Sequence, residues 1–314
     1  MPFLVRFLGT AASRPTVERG VSALAVIREG ETFLVDCGEG TQRQMMRYGV
    51  SFGLHDVLFT HMHADHILGL TGLLRTLQLQ GRTDPLRLWG PPRSSRVLQQ
   101  CITMGGERPT FPVTMTELEP GASIPRKDFR IETFAVDHQG ASCVGYAFVE
   151  ETRLGRFNPE LARELGVPEG PLWGLLHRGQ TVTLPDGRTV DPADLVGVPR
   201  RGRRLVITGD TRPCASTILA ATGADLLIHE STFADEEAER AFETGHSTAR
   251  EAADVARRAG VRRLLLTHVS ARYSRDTDDL AREARSVFPA TTVARDGTEV
   301  ELLFDPETEP DTAS

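Results

Sequence analysis

Residues 57–60 read VLFT, and they run directly into His61-Met62-His63-Ala64-Asp65-His66. No other stretch constrains the fold as strongly. The short apolar run predicts a buried strand. After the cluster, Leu68, Leu70, Leu73, Leu74 and Leu77 recur at helical spacing and predict a helix from Ala64 to Gln80. The cluster therefore sits where a strand turns into a helix. Residues two apart in extended chain point to one side, so His61 and His63 face together. Asp65 and His66 follow where the chain turns, and face elsewhere. One pair can hold one metal ion and the next pair a second ion nearby. Neutral imidazole and carboxylate oxygen are ligands that zinc accepts.

Other donors stand where apolar runs end. His138 lies in VDHQG, Asp210 closes the run LVITGD, and His268 closes LLLTH. The ends of strands are where α/β sheets place their chemistry. Glu230 follows the apolar run 225–229, and His246 precedes the helical pattern of 247–259. His229 is expected to pack in the core, while His55 and His177 carry no assigned role.

The rest of the chain alternates. Strands are predicted at 3–8, 22–27, 32–36, 86–89, 113–117, 129–136, 143–149, 204–208, 225–229, 263–267 and 299–304. Helices are predicted at 40–48, 93–103, 214–221, 247–259 and 275–287. Sheets with helices outside them make α/β or α+β layers. The rhythm breaks at 151–203, which carries GVPEGPLWG, TLPDGRTV and VGVPRRGRR. A stretch this long without clear elements predicts a functional excursion or a disordered loop. Over 151–204 there are 9 Arg against 7 Asp plus Glu, so this segment is locally basic. The acidic tail 305–314 is expected to fray.

Charge enters at this point. The formal net charge is −7, which excludes a nonspecific RNA-coating protein but not one that holds phosphate locally. All but one of the 36 basic residues are arginine, the side chain best suited to bidentate phosphate contacts. Cys37, Cys101, Cys143 and Cys214 form no CxxC pair and are expected to be free thiols in a reducing compartment. No apolar run is long enough for a transmembrane helix, and the N-terminus shows no secretory pattern, so no membrane association and a cytoplasmic location are expected.

FLGTAAS at 7–13, VDCGEGTQRQ at 35–44, ITGDTRP at 207–213, HESTF at 229–233, GHSTA at 245–249 and THVSARY at 267–273 join the HxHxDH cluster. Together they resemble ribonuclease Z, a tRNA 3′-processing endoribonuclease family of the metallo-β-lactamase fold superfamily. The resemblance spans most of the chain. It implies one domain over 1–314, a four-layer αββα sandwich with a protruding exosite arm at 151–203 that grips tRNA. It implies two Zn²⁺ per subunit, with Mn²⁺ as another divalent option. His61, His63 and His138 would hold one ion, Asp65, His66 and His268 the other, and Asp210 would bridge them. Asp36 would support this loop without being a ligand. Two such ions clamp a phosphodiester and acidify a water. Asp65 would accept the proton of the attacking water. His246, oriented by Glu230, would protonate the leaving 3′ oxygen. The implied activity is removal of the 3′ trailer from precursor tRNA, leaving a 3′-hydroxyl on the tRNA, by a homodimer.

RNA contacts are expected from Arg272 beside the cleavage site, from Arg19, and from the arm, where Gly170 and Pro171 set the backbone. The arm's arginines, with Arg200, Arg201, Arg203 and Arg204 at its base, would meet phosphates. One loop departs from the family. Where many relatives read PxKxRN, Pro15 and Arg19 match, but Val17 replaces Lys and Gly20 replaces Asn. The discrimination of the CCA end associated with that loop does not carry over. The alternative reading is a general metal-dependent phosphodiesterase of the same fold acting on small or other RNA substrates. The length and basic character of 151–203 separate the two, since a small-molecule enzyme has no use for such a loop.

Overall fold

The structure is a computed structural model that describes residues 3–106 and 108–304. The expected fraying of 305–314 lies outside the described residues. In chain order the elements begin with β1 (Phe3–Gly9), β2 (Ala23–Arg28), β3 (Glu31–Val35), α1 (Thr41–Arg47) and β4 (Asp56–Leu58). Next come α2 (Ala64–Ile67), α3 (Gly69–Leu79), β5 (Leu86–Gly90), α4 (Ser95–Thr103), β6 (Val113–Glu117), β7 (Ser123–Pro125), β8 (Phe129–Ala135) and β9 (Val144–Glu150). They continue with α5 (Pro159–Glu164), α6 (Pro171–His177), β10 (Val182–Thr183), β11 (Thr189–Val190), α7 (Pro192–Leu195), β12 (Arg204–Ile207) and α8 (Ala215–Ala221). The last are β13 (Leu226–Glu230), α9 (Ala238–Thr244), α10 (Ala249–Ala259), β14 (Leu264–Thr267), α11 (Asp278–Val287), β15 (Thr291–Val293) and β16 (Glu299–Leu302). The described residues divide into two compact units, 3–149 with 204–303, and 150–203 with 304.

The larger unit holds two seven-stranded sheets, ordered β16-β1-β2-β3-β4-β5-β6 and β15-β14-β13-β12-β9-β8-β7. Alternation along the strands builds the layers. Phe3, Val5 and Phe7 of β1, Phe33 and Val35 of β3, and Leu205 and Ile207 of β12 enter one core with residues of both sheets. The intervening Leu34 packs instead with Leu70, Leu73, Leu74 and Leu77 of α3. Val206 packs likewise with Ala252, Ala253 and Ala256 of α10. The result is helix, sheet, sheet, helix, the metallo-β-lactamase sandwich. Phe3, Phe33, Phe129 and Phe148 meet edge to face between the sheets with centroids 5.6–6.1 Å apart. Such pairs add about 0.5–1.5 kcal/mol each beyond burial.

The predicted helix from Ala64 to Gln80 is two helices, broken at Leu68. The cause is a strand-end loop laid against it. Cys37 N–H donates to His66 C=O at 2.7 Å, and Gly69 N–H donates to Cys37 C=O at 2.8 Å. These bonds replace part of the helical ladder. A Cβ on Gly69 would lie 2.0 Å from the Gly38 carbonyl oxygen, so only glycine allows the approach. Gly209 (φ 66°) plays a similar part, since a Cβ there would meet Thr60 side-chain atoms at 2.6–2.9 Å. β7, β15 and α9 were not predicted. The two strands are three residues each and form the edges of the second sheet, too short to show periodicity.

The smaller unit corrects the reading of 151–203 as an excursion without clear elements. It contains three short helices and the β10–β11 hairpin. Ala162, Val167, Leu176, Val182, Leu184, Val190 and Leu195 form its own buried core, flanked by Phe157 and Trp173. Pro stands at the start of each of its helices, and Asn158 and Asp191 cap two of them. Proline and glycine that hide periodicity are here the start and stop signals of short helices. Arg203 is 2% exposed, with its guanidinium paired to Glu150 at 2.5–2.7 Å, which removes it from the phosphate contacts expected at the base of this segment. Arg204 belongs to β12 in the larger unit.

No helix among the described residues is long and apolar enough to cross a membrane. The four cysteines are unpaired.

Candidate metal centre

Parallel strands deliver their ends to one place. β3, β4 and β5 are parallel, as are β12, β13 and β14. His61 and His63 follow β4, Asp210 follows β12, Glu230 ends β13, and His268 follows β14. His138 comes from beyond β8, and His246 from the turn before α10. Asp36 and His268 occupy the left-handed region, with φ of 58° and 55°, as do the nearby Ser13 and Gln139. Non-glycine residues adopt this region seldom, and they cluster at sites where the fold imposes it.

The donors fall into two groups, overlapped by a third of Asp210, His246 and His268. His61, His63, His138 and Asp210 converge, with ligand atoms within 4.8 Å of one another, and so do Asp65, His66 and His268. Asp210 stands between them. Its Oδ2 is 3.6 Å from His61 Nε2 and 3.9 Å from His138 Nε2 on one side. On the other side it is 3.4 Å from His66 Nε2 and 3.3 Å from His268 Nε2. Asp65 Oδ2 lies 3.3 Å from His268 Nε2 and 3.6 Å from His66 Nε2, and it accepts the backbone N–H of Ser13 at 2.7 Å.

The chemistry of this donor set fits divalent metal. Nε2 of His61, Nε2 of His66 and Oδ1 of Asp210 are buried without a hydrogen-bond partner. Unpaired polar atoms in a core are costly, and several converging on one point mark a cation's place. The far side of four of the rings is occupied. His66 Nδ1 is 2.8 Å from Asp36 Oδ2, His138 Nδ1 is 2.8 Å from the Gly245 carbonyl, and His61 and His268 meet Thr60 and Thr232. A histidine that uses one nitrogen on an oxygen leaves the other for a metal. His63 turns the opposite nitrogen inward, with Nδ1 3.1 Å from His138 Nε2. Asp36 also accepts Thr60 N–H at 2.8 Å, so it fixes the strand end from behind.

Beside the donors, His246 Nδ1 lies 2.7 Å from Glu230 Oε1. Burial lowers the His246 pKa, but the Glu230 charge and hydrogen bond outweigh it and raise it to about 9. Burial favours protonation of Glu230, yet the His246 charge and hydrogen bond hold its carboxyl below the usual range. Thr211 N–H and Thr232 N–H also donate to this carboxylate, at 3.1 and 3.0 Å. A cleft of about 360 Å³ opens at His246, lined by Ser13, Arg14, Phe233, Arg240 and Arg272 among others.

Three curated sequences similar to this chain share one name. Ribonuclease Z of Gemmatimonas aurantiaca is 70% identical over 308 residues, 98% of each chain. Ribonuclease Z of Myxococcus xanthus is 55% identical, covering 94% of this chain and 96% of its own. The chain belongs to the ribonuclease Z family. Ribonuclease Z of Haloferax volcanii, 52% identical over 97% of this chain and 96% of its own, extends the likeness further. The protein-family model "Beta-lactamase superfamily domain" matches residues 179–269, and "Anti-Pycsar protein Apyc1" matches residues 3–154. Among solved structures, human tRNase Z, short form, superposes with a TM-score of 0.68 at 27% identity, covering 95% of this chain and 98% of its own. The metallo-beta-lactamase fold protein YhfI of Bacillus subtilis has the same TM-score at 22% identity, over 96% of this chain and 99% of its own, a likeness of fold.

Within this family frame, four expected RNA contacts fare differently. Arg19 is 2% exposed, and its guanidinium donates to Thr10 Oγ1, Ala294 C=O and Ser274 C=O at 2.7–3.2 Å. It cannot reach RNA directly and instead pins the loop that contains Val17. Arg272 is half-exposed at the cleft beside His246, with Nη1 2.6 Å from Glu237 Oε1. Gly170 and Pro171 start α6 in the smaller unit, with Gly170 at φ 131°. His229 is fully buried, His177 Nε2 is 3.0 Å from the Gly155 carbonyl, and His55 is exposed beside Arg82. Thr60 and Thr232 were not singled out from sequence. Thr60 closes the run VLFT and Thr232 lies inside HESTF, but hydroxyl residues give no spacing signal.

Proposed function

We propose that this chain is a zinc-dependent endoribonuclease that hydrolyses one phosphodiester of precursor tRNA, releasing the 3′ trailer and leaving a 3′-hydroxyl on the tRNA. The observation that carries the reading is Asp210 shared between two donor groups, with the His246–Glu230 pair beside them, in a chain of the ribonuclease Z family. His61, His63, His138 and Asp210 would hold one zinc ion; Asp65, His66, His268 and the same Asp210 would hold the second. When bound, two such ions polarise a phosphodiester and acidify a water.

The protein groups do the rest. Asp65 Oδ2 faces both His268 and the Ser13 N–H, and takes the proton of the attacking water. His246 stays cationic at neutral pH because of Glu230, and gives its proton to the departing 3′ oxygen, which would otherwise leave as an alkoxide. Arg272 at the cleft mouth faces the phosphates that flank the cut.

Residues 151–203 serve as the arm that grips tRNA. Its separate core and the exposed Arg156, Arg178, Arg188 and Arg201 support this role. The enzyme acts as a homodimer in the cytoplasm, the former open to sedimentation analysis. The deciding experiment is incubation of the purified, zinc-loaded protein with precursor tRNA, with and without an encoded CCA, and mapping of both new ends. A cut at the trailer junction with a 3′-hydroxyl is expected. Cleavage of small phosphodiesters with intact precursor tRNA would overturn the reading in favour of a general phosphodiesterase.

A further inference from the structure

Two threonines stand between a buried carboxylate and an imidazole of the centre. Thr60 Oγ1 is 2.9 Å from Asp36 Oδ2 and 3.1 Å from His61 Nδ1. Thr232 Oγ1 is 2.7 Å from Glu230 Oε2 and 2.9 Å from His268 Nδ1. One set belongs to each sheet, and all six residues are at most 4% exposed. Both carboxylates also accept backbone N–H groups, from Thr60 at Asp36 and from Thr211 and Thr232 at Glu230.

A hydroxyl has one proton to give, and an ionised carboxylate only accepts. Each threonine proton therefore goes to its carboxylate. The threonine oxygen is left as an acceptor, so the ring nitrogen facing it must carry the hydrogen. That places the hydrogen on Nδ1 of His61 and His268 and the lone pair on Nε2. Those are the nitrogens that point inward, 3.6 Å and 3.3 Å from Asp210 Oδ2.

We propose that Thr60 and Thr232 are positioning residues that fix the tautomer of His61 and His268. Asp36 and Glu230 then each hold two imidazoles. Asp36 holds His66 directly and His61 through Thr60. Glu230 holds His246 directly and His268 through Thr232. Glu230 thereby ties the proton donor to a metal ligand, and a disturbance of Thr232 reaches the centre without touching a ligand. This inference rests on the metal-centre reading for its consequence, while the tautomer itself is a property of the protein alone.

The test has two arms. Nitrogen-15 long-range NMR of histidine-labelled, metal-free wild-type protein reads the tautomers, and both His61 and His268 are expected as Nδ1–H. Zinc affinity, by chelator competition, compares Thr60→Val and Thr232→Val with Thr60→Ser and Thr232→Ser. Valine keeps the shape and removes the acceptor, and should weaken binding at least about tenfold, as loss of an outer hydrogen bond to a ligand does. Serine restores the hydroxyl and should stay within about threefold of wild type. An Nε2–H tautomer in the wild type, or valine variants that bind zinc like wild type, would overturn the proposal. A wild type that binds no zinc would instead sink the metal-centre reading, and the tautomers would still decide the role of the threonines. If a valine variant fails to fold, the wild-type tautomers and the serine variant settle the matter.

Discussion

His246 Nδ1 lies 2.7 Å from Glu230 Oε1, and the carboxylate that holds it is 1% exposed. A buried anion this close keeps the imidazole protonated well above its ordinary value of 6.5, to about 9. His246→Asn should lower kcat by about 10²–10⁴ and leave zinc content unchanged. Glu230→Gln removes the charge that raises the pKa most, and burial then lowers it against only the Asp210 and Asp65 charges. A donor must be protonated to act, so the basic limb of the kcat–pH profile should move to lower pH. An unmoved basic limb would show that His246 is not the donor.

Asp210 belongs to the group of His61, His63 and His138, and its Oδ2 also lies 3.4 Å from His66 Nε2 and 3.3 Å from His268 Nε2, whereas His63 belongs to one group alone. After dialysis against a weak chelator, Asp210→Ala should lose metal from both positions, and His63→Ala from one. The check is metal content per chain by atomic emission. Equal losses in the two variants would refute the shared role of Asp210.

Residues 155–198 can be removed with little strain, because Arg153 N–H donates to Arg200 C=O at 2.9 Å and the flanking chain is already paired. The shortened protein should cleave bis(p-nitrophenyl) phosphate at the full rate and precursor tRNA much more slowly. With the segment present, raising salt should weaken tRNA binding steeply. Parallel loss on both substrates would remove the proposed gripping role.

Asp56 is 2% exposed and accepts from Arg87 Nη2 and Trp89 Nε1 at 2.7 Å, with Arg126 at 3.0 Å. Burial pushes its carboxyl up, but the hydrogen bonds from Arg87 and Trp89 outweigh it and hold it below 3.8. Asp56→Asn should cost about 2–3 kcal/mol at pH 7, less than a fully buried pair because Arg87 is partly exposed. A lowered folded-state pKa means stability that is present above 3.8 and lost as pH falls through the folded value. The difference in urea midpoint between wild type and variant should therefore shrink at acid pH. A difference independent of pH would contradict the charge as its cause.

Much of the candidate site was legible because its donors are rare residue types at strand ends. His61, His63, Asp65 and His66 announce themselves in six residues, and His138, Asp210 and His268 each close an apolar run. The helix predicted at 247–259 is α10, which starts at Ala249 behind a capping box of Thr248 and Glu251 and is closed by Gly260 in the left-handed region. Arg19 was misread because its partners lie far along the chain. It donates to Ala294 C=O, 275 residues away, and no local pattern encodes that.

The sequence by itself determined most of the strands and helices of the larger unit, the alternation that makes two sheets bury one core, and the identity of the candidate ligating side chains. These follow from local periodicity and side-chain chemistry. Tertiary structure alone decided where the helix after the cluster breaks, because the bonds that break it come from the Cys37 backbone. It decided that Asp210 lies between both histidine groups, because strands of two different sheets must first end side by side. It also decided which nitrogen each histidine offers, because a tautomer is set by the partner on the ring's far side. Thr60 and Asp36, Thr232 and Glu230 become those partners only once the sheets have packed.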